Sequence, residues 1–165
     1  AIPGPSVIPE EVLRSMHRSA PNIYEGELIE ITKSLIPDLN YVARSSGNVA
    51  IYIANGHGIW EAALSNIATA NDHILVVATG RFAHGWAEMA RKLGIKVDVV
   101  DFGKNRALDI EVLAKKLKSE PKTKYKAILM THVDTSTSVK NDIFNVRKLS
   151  SITQSLISDM EANYE

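Results

Sequence analysis

Three short stretches gather residue types that bind ligands: ANGHG at 54–58, TGRFAHGW at 79–86 and THVDTSTSVKND at 131–142. In the first, Asn55, Gly56, His57 and Gly58 separate an apolar run from apolar pairs four residues apart, the mark of a strand-to-helix corner. A helix beginning near His57 leaves its first N–H groups without intrahelical acceptors, and the macrodipole adds partial positive charge. Glycines at 56 and 58 remove the side chains that would block an anion. Phosphate binding is the chemistry this corner suits; a plain tight turn is the alternative. No GKS or GKT follows, and Trp60 and Glu61 stand where a G-x-G-x-x-G pattern would continue. In the second stretch, Phe82 and Trp86 are four apart and fit a core-facing pair, while Phe82 at a helix start also offers a flat surface for a ligand ring. The hydroxyls of the third stretch serve either turn formation or polar contact with a ligand's oxygens. His57, His84 and His132 lack partner carboxylates at metal-ligand spacing, so no metal is expected. No serine sits in G-x-S-x-G.

These corners need elements to position them. Ile2–Pro9 carries three prolines and a glycine and reads as an extended arm. Glu10–Met16 reads as a short helix. Leu28, Ile31, Leu35, Leu39 and Val42 mark an amphipathic helix across Glu25–Arg44, with a kink or break expected at Pro37. Val49–Ala54, His73–Ala78, Lys96–Val100 and Tyr125–Thr131 read as strands. Helices are expected from the face Ile59/Trp60, Ala63/Leu64, Ile67/Ala68, from the face Phe82, Trp86, Ala90, Leu93 ending at Gly94, and over Asp109–Ser119 with Asp109 as N-cap. A last helix, capped by Asn141 or Asp142, is expected to run towards Glu165 through Leu149, Ile152, Leu156 and Met160. Strand alternating with helix predicts a mainly parallel sheet covered on both faces. The expected division is an arm with a short helix over 1–24 and an α/β domain over 25–165.

Composition narrows the function. The 165 residues contain 19 basic and 19 acidic side chains, for zero net charge, which argues against a broad nucleic-acid surface. Hydrophobic residues make up 45%, enough for a packed core. No apolar run reaches bilayer length, and AIPGPSVIPEE has neither a basic nor an apolar leader region. Cysteine is absent, which fits a reducing compartment; a cytoplasmic protein is expected. The missing initial Met suggests a trimmed beginning.

The stretches IPGPSVIPEEVLRSM, APNIYEGELIEI, NVAIYIANGHGIWEAALSN, ATGRFAHGWAEMARKLG and THVDTSTSVKNDI together resemble the class V pyridoxal-phosphate aminotransferases of the serine–glyoxylate and alanine–glyoxylate type, over about Ile2–Ile143. The resemblance implies a fold-type I large domain, pyridoxal 5'-phosphate as cofactor, amino acid and 2-oxo acid substrates, and a homodimer. It places Asn55, Gly56 and His57 at the cofactor phosphate, Phe82 on the pyridine ring, and Thr135 near the ring oxygen. Pro3, Gly4 and Pro5 match a segment beside the substrate pocket, and Tyr24 one that reaches towards the dimer partner's site. Serine or alanine would be the amino donor and glyoxylate the acceptor. The family's Schiff-base lysine, its aspartate for the pyridine nitrogen and its arginine for the substrate carboxylate have no match here; Lys140 and Lys148 do not fall at the family's position. The chain is therefore expected to be the front part of a longer enzyme, inactive alone, binding cofactor weakly and without a covalent bond, and prone to association through an incomplete sheet. Two other functions stay open: a non-catalytic phosphate- or nucleotide-binding α/β module, and a scaffold or dimerisation fragment.

Overall fold

The computed structural model describes residues 7–121, 124–153 and 156–159. The chain falls into two compact units that divide between Ala50 and Ile51. The first unit holds α1 (Glu10–Met16) and α2 (Glu27–Val42). Neither helix has a buried residue. α2 runs through Pro37 without a break. The missing proline N–H leaves the Lys33 carbonyl without its helical partner, and exposure of Lys33 lets water take that place. Arg44, just past the helix, adopts φ 49°, and Ser45 N–H reaches back to the Asn40 carbonyl at 3.0 Å, a Schellman-type ending.

The second unit is built on a four-stranded parallel sheet in the order β2-β1-β3-β6, from β1 (His73–Ala78), β2 (Lys96–Asp101), β3 (Ala127–Met130) and β6 (Leu156–Asp159). Its helices are α3 (Gly56–Ile67), α4 (Arg81–Lys92), α5 (Ile110–Lys118) and α6 (Ile143–Thr153), and a two-stranded antiparallel ribbon pairs β4 (Val133–Asp134) with β5 (Val139–Lys140). Every residue of β3, and all of β1 after His73, is buried. Period-two alternation splits them between two cores. Ile74, Val76, Ala78, Ala127 and Leu129 meet Trp60, Leu64, Trp86, Ala87 and Ala90 of α3 and α4. Leu75, Val77, Ile128 and Met130 meet Leu113, Leu117 and Val146 of α5 and α6. Helices therefore cover both faces, as the alternation of elements predicts.

Two expected elements differ. Val49–Ala54 is not a strand: no described strand pairs with it, and Ile53 stands fully exposed. A β-branched run cannot hold extended pairing without a partner edge. The last helix stops at Thr153, and Leu156–Asp159 adds to the sheet beside β3, with Ala127 opposite Leu156 and Met130 opposite Asp159. The open edge of β3 offers main-chain hydrogen bonds that outweigh the helical spacing of the apolar residues. Asp109 caps α5 as expected, accepting from Glu111 N–H at 2.9 Å.

At the amino ends of the strands, Asp98 of β2 gathers the Tyr125 hydroxyl at 2.5 Å, Lys124 at 2.9 Å and His73 at 3.2 Å. The Tyr125 hydrogen bond, followed by Lys124 and His73, holds the Asp98 carboxyl well below the usual carboxylate range. Lys124 is pushed up in turn by Asp98 and Glu120.

Candidate functional site

The chain reverses direction across the sheet at β1: α4 leads to β2 on one side, and α5 leads back to β3 on the other. In open α/β sheets ligands sit beyond the carboxyl ends of the strands at such a reversal. Here that place is bounded by Thr79 and Gly80 after β1 and by the loop 131–142 after β3.

α3 begins where the corner reading expects it. Asn55 is its N-cap, with extended backbone, and its side-chain oxygen accepts from His57 N–H at 3.1 Å and Gly58 N–H at 3.4 Å. The first donors are thus partly occupied by a neutral amide rather than wholly bare, because an asparagine before a helix folds back onto it. The two glycines do different work. A Cβ on Gly56 would meet nothing within 4 Å, so the space above it is open, whereas a Cβ on Gly58 would strike Ala54 Cβ. Gly58 serves backbone packing.

The helix ends also differ in charge. α1 and α2 carry glutamates in their first turns. α5 is capped by Asp109, α6 by Asp142, and α4 by Asp134 from the loop after β3. Among the described helices only α3 has no carboxylate at its N-terminus, so its partial positive charge is the one left for a ligand anion.

The aromatic side chains lie beside that end. His57 sits 4.6 Å from Trp60 and 6.2 Å from Phe82, ring centre to ring centre. Trp60 meets Phe82 edge-on at 6.1 Å and stacks on Trp86 at 5.6 Å. Trp86 is core, while Phe82 is half-buried, and the Arg81 guanidinium lies 5.6 Å over its ring. Phe82 thus both packs and presents a ring at the surface. Thr135 is exposed at the tip of the β4–β5 ribbon, next to the Asp134 that holds Phe82 N–H at 3.1 Å. The structure therefore brings His57 close to Phe82, and ties Phe82 to the residue preceding Thr135. Tyr24 is exposed in the first unit, and Pro3, Gly4 and Pro5 lie outside the described residues. A cavity lined by Asn40, Tyr41, Val42, Arg44 and Ser45 lies in the first unit and contains none of these site residues.

The hydroxyl-rich loop mostly builds itself. Ser136 Oγ donates to Asp134 at 2.6 Å, and Thr137 Oγ1 donates to the Thr79 carbonyl at 3.1 Å. Of the two residues offered as cap of the last helix, the structure selects Asp142. Asp142 does the capping, donated to by Asn145 N–H at 3.0 Å, and Asn141 turns inward. Its amide donates to Thr79 Oγ1 at 2.8 Å and the Thr131 carbonyl at 2.9 Å, and accepts from Leu108 N–H at 3.0 Å. Asp134 was hidden among threonines and serines; an acid in the hydroxyl-rich stretch just after a buried strand is the signal that would have found it.

No family model matches the chain. It is 34% identical over 149 residues to serine–glyoxylate aminotransferase of Arabidopsis thaliana and 33% over 148 residues to that of Methylorubrum extorquens; the matches take in 90% and 89% of this chain and 37% of each relative. The chain thus spans little more than a third of the length of the curated relatives it matches. Among solved structures, pyridoxamine–pyruvate aminotransferase from Mesorhizobium loti superposes with a TM-score of 0.81 at 22% identity, over 94% of this chain and 39% of that one. Alanine–glyoxylate aminotransferase from Nostoc sp. gives 0.80 at 22% identity, over 95% and 41%. The architecture is that of the fold-type I large domain, and over about nine-tenths of its length the chain is similar to class V pyridoxal-phosphate aminotransferases.

Proposed function

We propose that this chain supplies the cofactor-binding face of a pyridoxal 5'-phosphate-dependent transaminase that passes an amino group from serine or alanine to glyoxylate. The observation that carries the reading is the carboxylate-free end of α3 beside the Phe82 ring. The site residues fit the cofactor at two points: an uncompensated helix N-terminus suits a phosphate dianion, and a half-buried aromatic ring suits a flat heterocycle. When bound, pyridoxal phosphate supplies the electron sink that lets an amino acid lose its α-proton.

In this reading the main-chain N–H groups at Gly56 and His57 hold the phosphate, with Asn55 turning its side chain aside. Phe82 bears on the ring, and the Thr135 hydroxyl lies towards the ring oxygen. Pro3 and Gly4 belong to the substrate side, and Tyr24 to the partner's site in a homodimer. These residues bind and orient; the covalent lysine is assigned to none of those present. The donor and acceptor rest on the names of the relatives. The absence of cysteine supports the cytoplasm as the compartment.

Titration of the chain with pyridoxal 5'-phosphate, followed by tryptophan fluorescence, borohydride reduction and peptide mass mapping, tests this. Saturable quenching with no stoichiometric lysine adduct is expected. Quenching by nucleotides with none by pyridoxal phosphate would turn the assignment to a phosphate-binding module, and a stoichiometric reduced adduct on a single lysine would overturn the view that none of the lysines present is the covalent one.

A further inference from the structure

Asp134 is fully buried in the loop after β3. A buried carboxylate is tolerated only where donors surround it. Its Oδ2 accepts from Phe82 N–H at 3.1 Å and Ala83 N–H at 3.3 Å; its Oδ1 accepts from Ser136 N–H at 3.0 Å and Ser136 Oγ at 2.6 Å. Ser136 Oγ accepts in turn from Arg81 N–H at 2.9 Å. The first three N–H groups of α4, which no helical carbonyl can reach, are therefore all held by Asp134 and Ser136, the Phe82 contact spanning 52 residues. Gly80, at α4's own capping position, has no side chain to do this, and a Cβ there would overlap the Asp134 carboxyl group. The helix end and the distant acid are built as one unit.

We infer that Asp134 is the positioning residue of the site: it fixes the first turn of α4, and through it the Phe82 ring beside His57 and Trp60. By filling the end of α4 it also leaves α3 as the helix end open to an anion. Phe82 packs against the core on one side only, so its ring position also follows the helix turn that carries it. The role towards the cofactor rests on the function proposed above; the hold on the ring does not.

The test uses Asp134→Asn, Phe82→Leu and the double variant of the whole chain. Far-UV circular dichroism reports folding, and near-UV circular dichroism without ligand reports the Trp60–Trp86 and Phe82 cluster. Fluorescence titrations give affinities for pyridoxal 5'-phosphate and for inorganic phosphate. Asp134→Asn is expected to keep the far-UV spectrum, lose near-UV intensity, and weaken pyridoxal phosphate about tenfold while inorganic phosphate changes by less than about twofold. The double variant should bind no more weakly than Phe82→Leu alone, because a residue acting through another is non-additive with it. A general loss of stability would move both ligands together. If Asp134→Asn fails to fold, Gly80→Ala displaces the carboxylate with its charge retained and should give the same near-UV loss. An unchanged near-UV spectrum, or additive losses in the double variant, overturns the inference. A near-UV loss with no binding of pyridoxal phosphate by any form sustains the hold on the ring and overturns the cofactor reading instead.

Discussion

At the scale of residues, two buried polar side chains tie the candidate site together, and their types explain how. Asp134 accepts hydrogen bonds only, so it suits a helix end crowded with N–H groups. Asn141 both donates and accepts, so it can satisfy two acceptors and one donor at once, joining the ends of β1 and β3 to Leu108, just ahead of the Asp109 cap of α5. Asn141→Ala leaves the Leu108 N–H and the Thr131 carbonyl without that partner, and is expected to destabilise by about 2–5 kcal/mol. Asp142→Ala, one position on at an exposed cap, should cost only about 1 kcal/mol. Urea midpoints of the two variants check the contrast, and equal shifts would refute the buried role.

Elements meet the sheet differently at its two ends. At the carboxyl ends, the Asp134 carboxylate is taken up by α4, and α3 is capped by the neutral Asn55 amide, which leaves it open to an anion. At the amino ends, Asp98 clamps β2 to the starts of β1 and β3 through His73 and Tyr125, and Lys124 joins it to Glu120 beyond α5. Because Asp98 has a depressed pKa in the folded chain, its contribution is complete above the unfolded carboxylate value near 3.9. It is lost as pH falls from about 5 towards the lower native value. Stability measured by urea at a series of pH values should therefore drop more steeply on acidification in the natural chain than in Asp98→Asn. Parallel curves would show that the clamp contributes nothing. Legibility at this scale followed local signals. His73–Ala78 could be read from its length and β-branched residues, and α5 from Asp109 and its apolar period. Val49–Ala54 carries the same kind of signal and is no strand, because pairing depends on a neighbour that composition does not name. Leu156–Asp159 fails in the opposite sense: it continues a helical spacing yet joins β3, whose open edge lies far away in sequence.

Over the whole molecule, the distribution of apolar surface sets the next expectation. Trp60, Trp86 and the strand residues are buried, whereas Tyr24, Tyr41, Val42 and Met16 of the first unit and Ile51, Tyr52 and Ile53 of the second are exposed. Among the described residues no helix is long and apolar enough to cross a membrane. Apolar exposure on this scale marks interaction surfaces, and the proposed homodimer would use it. Sedimentation velocity is expected to show concentration-dependent association; a compact monomer at all concentrations would count against the dimer. The amino-acid sequence by itself determined the alternation of strand and helix, the two-faced core and the anion-suited corner at Asn55, because periodicity, capping and helix ends act within a few residues. Only the tertiary structure decided which helix end stays free of a carboxylate, what holds Phe82, and which apolar runs become strands. Those outcomes depend on groups some fifty residues apart meeting in space, and no local pattern encodes that meeting.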